Sequence, residues 1–283
     1  MRLVTYTDGG PARGGVLLGE EIVPLSGLGA PADSVRGLLG ALDAEGLAAL
    51  AGRAESAGER VERSTVQLLA PVTDPQKIIC LGLNYRDHAA ESGAEIPKAP
   101  MWFAKFANSL IGSGQEILLP EAHPDYVDYE AELAVVIGRP AHRVAASEAL
   151  AHVAGAMPFN DVSARDLQLQ NPLWTSGKAL DTFAPCGPAL VTLEEIEDLG
   201  ALGLRTRING ELVQEGNTRE LIFDVPSTIA WLSRTMTLLP GDIIATGTPA
   251  GVGASKNRFL RDGDIVDVEV DGLGAVSNPV RRG

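Results

Sequence analysis

Cysteine is scarce: Cys80 and Cys186 are the only two in 283 residues. Two thiols cannot build a disulfide framework, and Cys80 lies inside the apolar run 77–82, where a buried thiol is the commoner state. Positive charge is scarce too, with 23 Lys and Arg against 37 Asp and Glu and a formal net charge of -14. That balance argues against a nucleic-acid partner and against an anionic membrane surface. An anionic substrate is still possible if a local cation receives it. No apolar run approaches the ~20 residues of a membrane helix, and no signal peptide opens the sequence. The expectation is a soluble, reduced, cytoplasmic protein. Also missing are a G-K-[ST] phosphate loop, a G-x-G-x-x-G after a first strand, zinc-type spacings and a G-x-S-x-G elbow. Nucleotide binding and acyl-enzyme chemistry therefore have no support.

What is present is ordinary in bulk, 45% hydrophobic and 21% charged, and long enough for one large domain or a small and a large one. Residues 1–25 read as short strands around an Asp8-Gly9-Gly10 turn. Residues 31–63 turn to Ala, Leu, Glu and Arg with helical spacing at Val35, Leu38, Leu39 and Leu42. Prolines at 71 and 75 then mark a boundary, giving a small N-terminal domain over 1–70 and a larger unit over 71–283. Past it the signals are mostly β, with strands at 77–82, 117–120 and 128–137, a hairpin turn at Asn209-Gly210 and a terminal hairpin over 265–277. Helices are expected at 148–153, capped by Ser147, and at 226–235. The fold class is mostly β with some α (α+β).

The stretch with most chemistry is Asp128-Tyr129-Glu130-Ala131-Glu132-Leu133-Ala134-Val135-Val136-Ile137. As a strand it puts Glu130 and Glu132 on one face with Ala134 and Val136, and fills the other face with Tyr129, Ala131, Leu133, Val135 and Ile137. Two carboxylates thus enter a largely buried sheet. At ~4 Å and an effective dielectric near 20, such a like-charge contact costs roughly 4 kcal/mol. A shared proton, a cation or a metal must offset it, unless the strand is an edge whose glutamates reach water. Oxygen-only donors favour a hard ion such as Mg²⁺, Mn²⁺ or Ca²⁺. Asp161, at the end of another apolar approach, could complete an all-oxygen triad; Asn160-Asp161 also reads as a simple turn.

His88 and Glu91 lie three apart, so one helical turn brings a carboxylate to the imidazole. Such a pairing orients the ring and raises its basicity, as a general base requires. Lys105 sits in the aromatic run 102–106. Lys178 is a second isolated lysine, suited to a substrate carboxylate, an enolate or the acid cluster. The glycine-rich loop 247–253 offers amides and the Thr248 hydroxyl to a carboxylate.

Five segments in this order resemble the fumarylacetoacetate hydrolase superfamily: Gly82 to His88, Asp128 to Leu133, Asn160 to Gln168, Gly177-Lys178, and Pro240 to Gly253. The resemblance covers about residues 71–283. It implies a β roll of mixed and antiparallel strands, usually paired as a homodimer. It implies Mg²⁺ or Mn²⁺ on Glu130, Glu132 and Asp161, with Ca²⁺ accepting the same donors. Arg165 would brace that site; Lys178, Thr248, Gln168 and Tyr85 would meet the substrate; His88, oriented by Glu91, would be the base on a lid. The small-molecule substrate would be a 2-oxo or 2,4-dioxo carboxylic acid. Hydrolytic C–C cleavage of a 2,4-dioxo acid is the first expectation. Oxaloacetate decarboxylation or tautomerisation, and isomerisation of an unsaturated diacid, are the alternatives; a non-catalytic, metal-stitched protein lies outside them. Lid residues 92–98 and the loop 168–174 are expected to set the group at C4. Pro158, where a regular strand residue is more usual, is expected to end its pairing early.

Overall fold

All seven residues of the strand Ala131–Ile137 are buried, because it runs between two cores. Leu133, Val135 and Ile137 pack into one core with Leu204, Val266, Val268 and Val276. Ala134 and Val136 enter a second with Leu38, Leu39, Leu47 and Leu50. A fully buried side chain of this kind contributes roughly 1.5–3 kcal/mol, so the strand is clamped from both faces.

The computed structural model describes residues 1–283, with 34% in strands and 25% in helices, and the α+β expectation holds. Across the larger sheet the strands run Val61–Glu62, Glu21–Pro24, Arg13–Leu18, Arg2–Thr7, Leu190–Thr192, Val153–Asn160, Ala131–Ile137, Ile243–Ala245, Ile78–Gly82 and Met101–Lys105. Gln67–Leu69 adds to Arg2–Thr7. Pairing is antiparallel except where Ile243–Ala245 meets Ile78–Gly82. The second sheet runs Glu211–Asn217, Gly203–Ile208, Ile265–Val270, Gly274–Arg282 and Ile117–Leu119. It covers the face bearing Leu133 and Val135. No helix is long and apolar enough to cross a membrane.

Near the N-terminus, Ser34 caps Val35–Ala41 and Asp43 caps Ala44–Ser56, each accepting from a backbone amide three residues on. Leu47, Leu50 and Ala54 form the buried stripe of the longer helix. The first strand pairs Arg2 with Val191 and Leu3 with Leu190, so the sheet is continuous from the N-terminal strands into the larger unit. Asn209 and Gly210, both left-handed with φ of 53° and 81°, make the expected tight hairpin. The helix expected at 226–235 forms over Val225–Leu232, capped by Asp224.

Two local expectations are corrected. Ser147 does not cap an α-helix: Ala146–His152 is a 3₁₀ segment with no side-chain cap. The His152 carbonyl is already taken by the amides of Gly138 and Arg139, which draws the segment's end into the strand that follows. Pro158 does not end its strand, which pairs Leu133 with Pro158 and continues to Ala131 with Asn160. The proline carbonyl still accepts from Gly187 N at 3.1 Å, and the pairing toward Leu190–Thr192 has stopped at Ala156. No ladder donor is missed there.

Candidate active site

Antiparallel register closes the gap between residues 30 apart in the chain. Because Ala131 pairs with Asn160, Asp161 emerges beside Glu130. Its amide donates to the Glu130 carbonyl at 3.0 Å, and Asn160 Oδ1 accepts the Glu130 amide at 3.1 Å. Glu130, Glu132 and Asp161 are all buried, with carboxylate oxygens within 4.8 Å of one another.

Three cations gather around them. Lys178 Nζ lies 2.8 Å from Glu130 Oε2 and 2.7 Å from Asp161 Oδ2. Arg165 Nη1 lies 2.7 Å from Glu130 Oε1. Lys105 Nζ lies 2.7 Å from Asp161 Oδ1 and donates to the carbonyls of Val162 and Phe183 at 3.0 and 2.8 Å and to that of Lys178. The other side of Arg165 holds a fourth buried acid, Asp128, with Nη2 2.6 Å from Oδ2. Four carboxylates thus meet three cations, and the deficit falls on Glu132. Its Oε2 accepts one bond, from Gly247 N at 2.9 Å, and its Oε1 has no partner.

These surroundings push two neighbouring acids apart. Burial, then the Asp161 and Glu130 charges, raise the Glu132 carboxyl well above the usual range. Burial acts against ionisation of Glu130 too, but Lys178 and Arg165 outweigh it and hold that carboxyl at about 2. Burial lowers Lys105, with Asp161 opposing. For Lys178 burial is outweighed by Asp161 and Glu130, which raise it.

The orphaned Glu132 oxygen, the all-oxygen donor set and the excess of acid fit a hard divalent cation at Glu130, Glu132 and Asp161. Gly247 is required in this arrangement: its φ is +98° and a Cβ would lie 2.8 Å from that of Asn84. Asn84 in turn binds Phe223 and Thr246, fixing the start of the His88 segment.

His88 and Glu91 occupy the helix Arg86–Glu91. His88 Nδ1 is 3.4 Å from Glu91 Oε2, and the side chains are 18% and 23% exposed. Glu91 also accepts from the Gly251 amide, in the same loop whose Gly253 and Ala254 amides hold Asp128, the partner of Arg165, so the loop ties the pair to the cluster. Lys178 Nζ also lies 5.1 Å from the Phe103 ring centroid, and Phe103 packs edge-on against Trp174.

Of the residues expected to meet substrate, Thr248 and Gln168 are otherwise engaged and Tyr85 is buried. The Thr248 hydroxyl donates to the Ala131 carbonyl at 2.9 Å and accepts from Gln214 Nε2 at 2.7 Å. Gln168 accepts from Arg165 Nη1 at 2.9 Å, steadying the brace. Tyr85 is fully buried, its hydroxyl without a partner and pushed far up by burial and then by Glu132. Asp128, Asn160 and Gln214 take part in the site without having been expected there, and Lys105 gains a role only in the structure. Asp128 alone carried a signal, as the first acid of a period-two series with Glu130 and Glu132.

Comparison with known proteins gives the relationship. The model described as fumarylacetoacetate (FAA) hydrolase C-terminal matches residues 77–281, and one described as Rv2993c-like, N-terminal, matches residues 1–71. "Oxaloacetate tautomerase fahd2, mitochondrial" of Xenopus laevis is 48% identical over 224 residues, covering 78% of this chain and 70% of the relative. The 2-hydroxyhepta-2,4-diene-1,7-dioate isomerase of Mycobacterium marinum has a TM-score of 0.78 at 36% identity, covering 100% of this chain and 98% of that one. Maleylpyruvate hydrolase from Sphingobium.sp SYK-6 has a TM-score of 0.83 at 33% identity, covering 100% of both chains. The fold, the buried acidic cluster and these matches converge: the chain is an enzyme of the fumarylacetoacetate hydrolase family.

Proposed function

We propose that this enzyme is a divalent-cation-dependent tautomerase that interconverts the enol and keto forms of oxaloacetate. The observation that carries the reading is the unpartnered oxygen of Glu132 in a carboxylate triad beside an oriented imidazole. Its substrate is taken from the name of the 48% identical relative. Glu130, Glu132 and Asp161 would hold Mg²⁺ or Mn²⁺. Bound there, the ion supplies positive charge that favours the enolised form of a 2-oxo acid.

The chain's own groups handle the proton. His88, with Nδ1 turned to Glu91, presents Nε2 as the base. In the keto-to-enol direction it takes a proton from C3; the C–H electron pair forms the C2–C3 double bond, and the carbonyl pair moves to oxygen. Return of that proton from the His88 imidazolium to the oxygen completes the enol and restores the neutral base, so atoms balance without water. Glu91 stabilises the transient imidazolium. Lys178 offers an ammonium to the substrate's oxygens, while Arg165 and Lys105 keep Glu130 and Asp161 in place.

A second reading has its own support. The same dyad could activate water for C–C cleavage of a 2,4-dioxo acid, and a hydrolase stands among the structural neighbours. One ultraviolet assay separates the two, run on enol oxaloacetate and on acetylpyruvate, with EDTA and then with Mg²⁺ or Mn²⁺ restored. Tautomerisation predicts metal-dependent loss of the oxaloacetate enol band without pyruvate release, and a fall of about 10²–10⁴-fold in kcat for His88→Gln. Metal-dependent acetate release from acetylpyruvate, with oxaloacetate untouched, would replace it with the hydrolase reading.

A further inference from the structure

The carboxylate that orients His88 is gripped from outside its own helix. Both oxygens of Glu91 accept from the Gly251 amide, at 3.0 and 3.1 Å, and Ser255 Oγ lies 2.9 Å from Oε1. The helix is anchored at its start by Asn84 and the buried Tyr85; within it Ala89 is the only buried residue, and Arg86 adds one bond to the Leu221 carbonyl. Two and three residues on from Gly251, the amides of Gly253 and Ala254 donate to Asp128 at 2.7 and 2.9 Å. Asp128 holds Arg165, and Arg165 holds Glu130. One short loop therefore touches the dyad with one set of groups and the carboxylate cluster with another.

Ser255 has two acceptors within reach of its single proton. Besides Glu91 it lies 2.8 Å from the Val252 carbonyl. With Glu91 in place the charged acceptor is the stronger one. With Glu91 withdrawn, the Ser255 proton turns to Val252, whereas the buried Gly251 amide loses its acceptor. Of the two donors, only the serine can release Glu91 without being left unsatisfied.

We propose that Ser255, with the Gly251 amide, is a latch that holds Glu91, and through it His88, against the carboxylate cluster. Ser255 is a positioning residue, and its place in turnover rests on the function proposed above. Its side chain is at the surface, so substitution leaves the core unchanged.

The test uses the full chain with Mn²⁺, comparing wild type, Ser255→Ala and Ser255→Thr by amide hydrogen exchange and by oxaloacetate kinetics. Losing one hydrogen bond to a charged group predicts about tenfold faster exchange across 86–100. Exchange across 131–137 stays as in wild type. kcat falls about tenfold, KM changes less than about twofold, and Ser255→Thr restores both readouts to within about threefold. Unchanged exchange across 86–100 in Ser255→Ala overturns the latch. So does a threonine variant as impaired as the alanine one, which would make the effect one of packing. A wild type inert toward every oxo acid, with exchange still accelerated in Ser255→Ala, refutes the functional reading and keeps the latch.

Discussion

Replacing Glu132 by glutamine should stabilise the metal-free protein while abolishing its activity. The side chain is fully buried, one oxygen has no partner and the other accepts a single amide. Two like charges lie within 4.8 Å. At that distance and an effective dielectric of ~20, each repulsion is about 3.5 kcal/mol. Lys178 offsets part of this, but it is hydrogen-bonded to Glu130 and Asp161. Allowing for that, removal of the charge should yield about 1–3 kcal/mol, or a rise of about 2–6 °C in Tm.

The sign with pH follows from the raised carboxyl. A group of this kind favours the fold while protonated, and loses that contribution as pH rises through its folded value. The advantage of Glu132→Gln in EDTA should therefore be small in mild acid and grow toward pH 8. Mg²⁺ or Mn²⁺ should reverse the order, because a cation present at a hundred times its Kd stabilises by about 2.7 kcal/mol and the variant has lost a ligand. Differential scanning calorimetry at pH 5.5 and pH 8, with EDTA and with Mn²⁺, checks all four corners. A variant no more stable than wild type at pH 8 in EDTA would mean that the charge is already neutralised and that the cluster needs no cation.

Other perturbations probe the supports of the cluster. Lys105→Met takes the cation from Asp161 Oδ1 and the donor from three backbone carbonyls, leaving Lys178 on Oδ2, so urea unfolding should show a loss of about 3–5 kcal/mol. Glu130 has the opposite pH sign to Glu132. Its carboxyl is held at about 2 against an ordinary 4.5, so its contribution is present above pH 4.5 and is lost as pH falls toward 2. The gap in urea midpoint between wild type and Glu130→Gln in EDTA should accordingly narrow from pH 5 downward.

The strand carrying Glu130 and Glu132 was legible because alternation is a local property, and both of its faces pack as the alternation requires. The His88–Glu91 contact was legible for the same reason, being one helical turn. Asp161 stood as a candidate only, because its place beside Glu130 comes from antiparallel register. What the sequence could not display was how polar side chains are already committed. Thr248 spends its hydroxyl on Ala131 and Gln214, residues 117 and 34 positions away. Lys105 finds its acceptors 56 or more positions downstream. The Ser147 expectation failed because the 3₁₀ turns already begin at Ala146, which puts Ser147 inside the segment and not ahead of it.

The two-sided burial of Ala131–Ile137 has an evolutionary consequence. A change in side-chain size along it must be matched in two cores at once, so this strand should tolerate few substitutions. Segments with less at stake lie around it: Ile96, Leu169 and Leu173 are exposed at 57%, 80% and 75%. New substrates, in nature or in the laboratory, should come from rewriting those segments over an unchanged chemical floor. Libraries confined to 92–100 and 168–174 should therefore yield far more folded, altered enzymes than libraries of equal size in the strand.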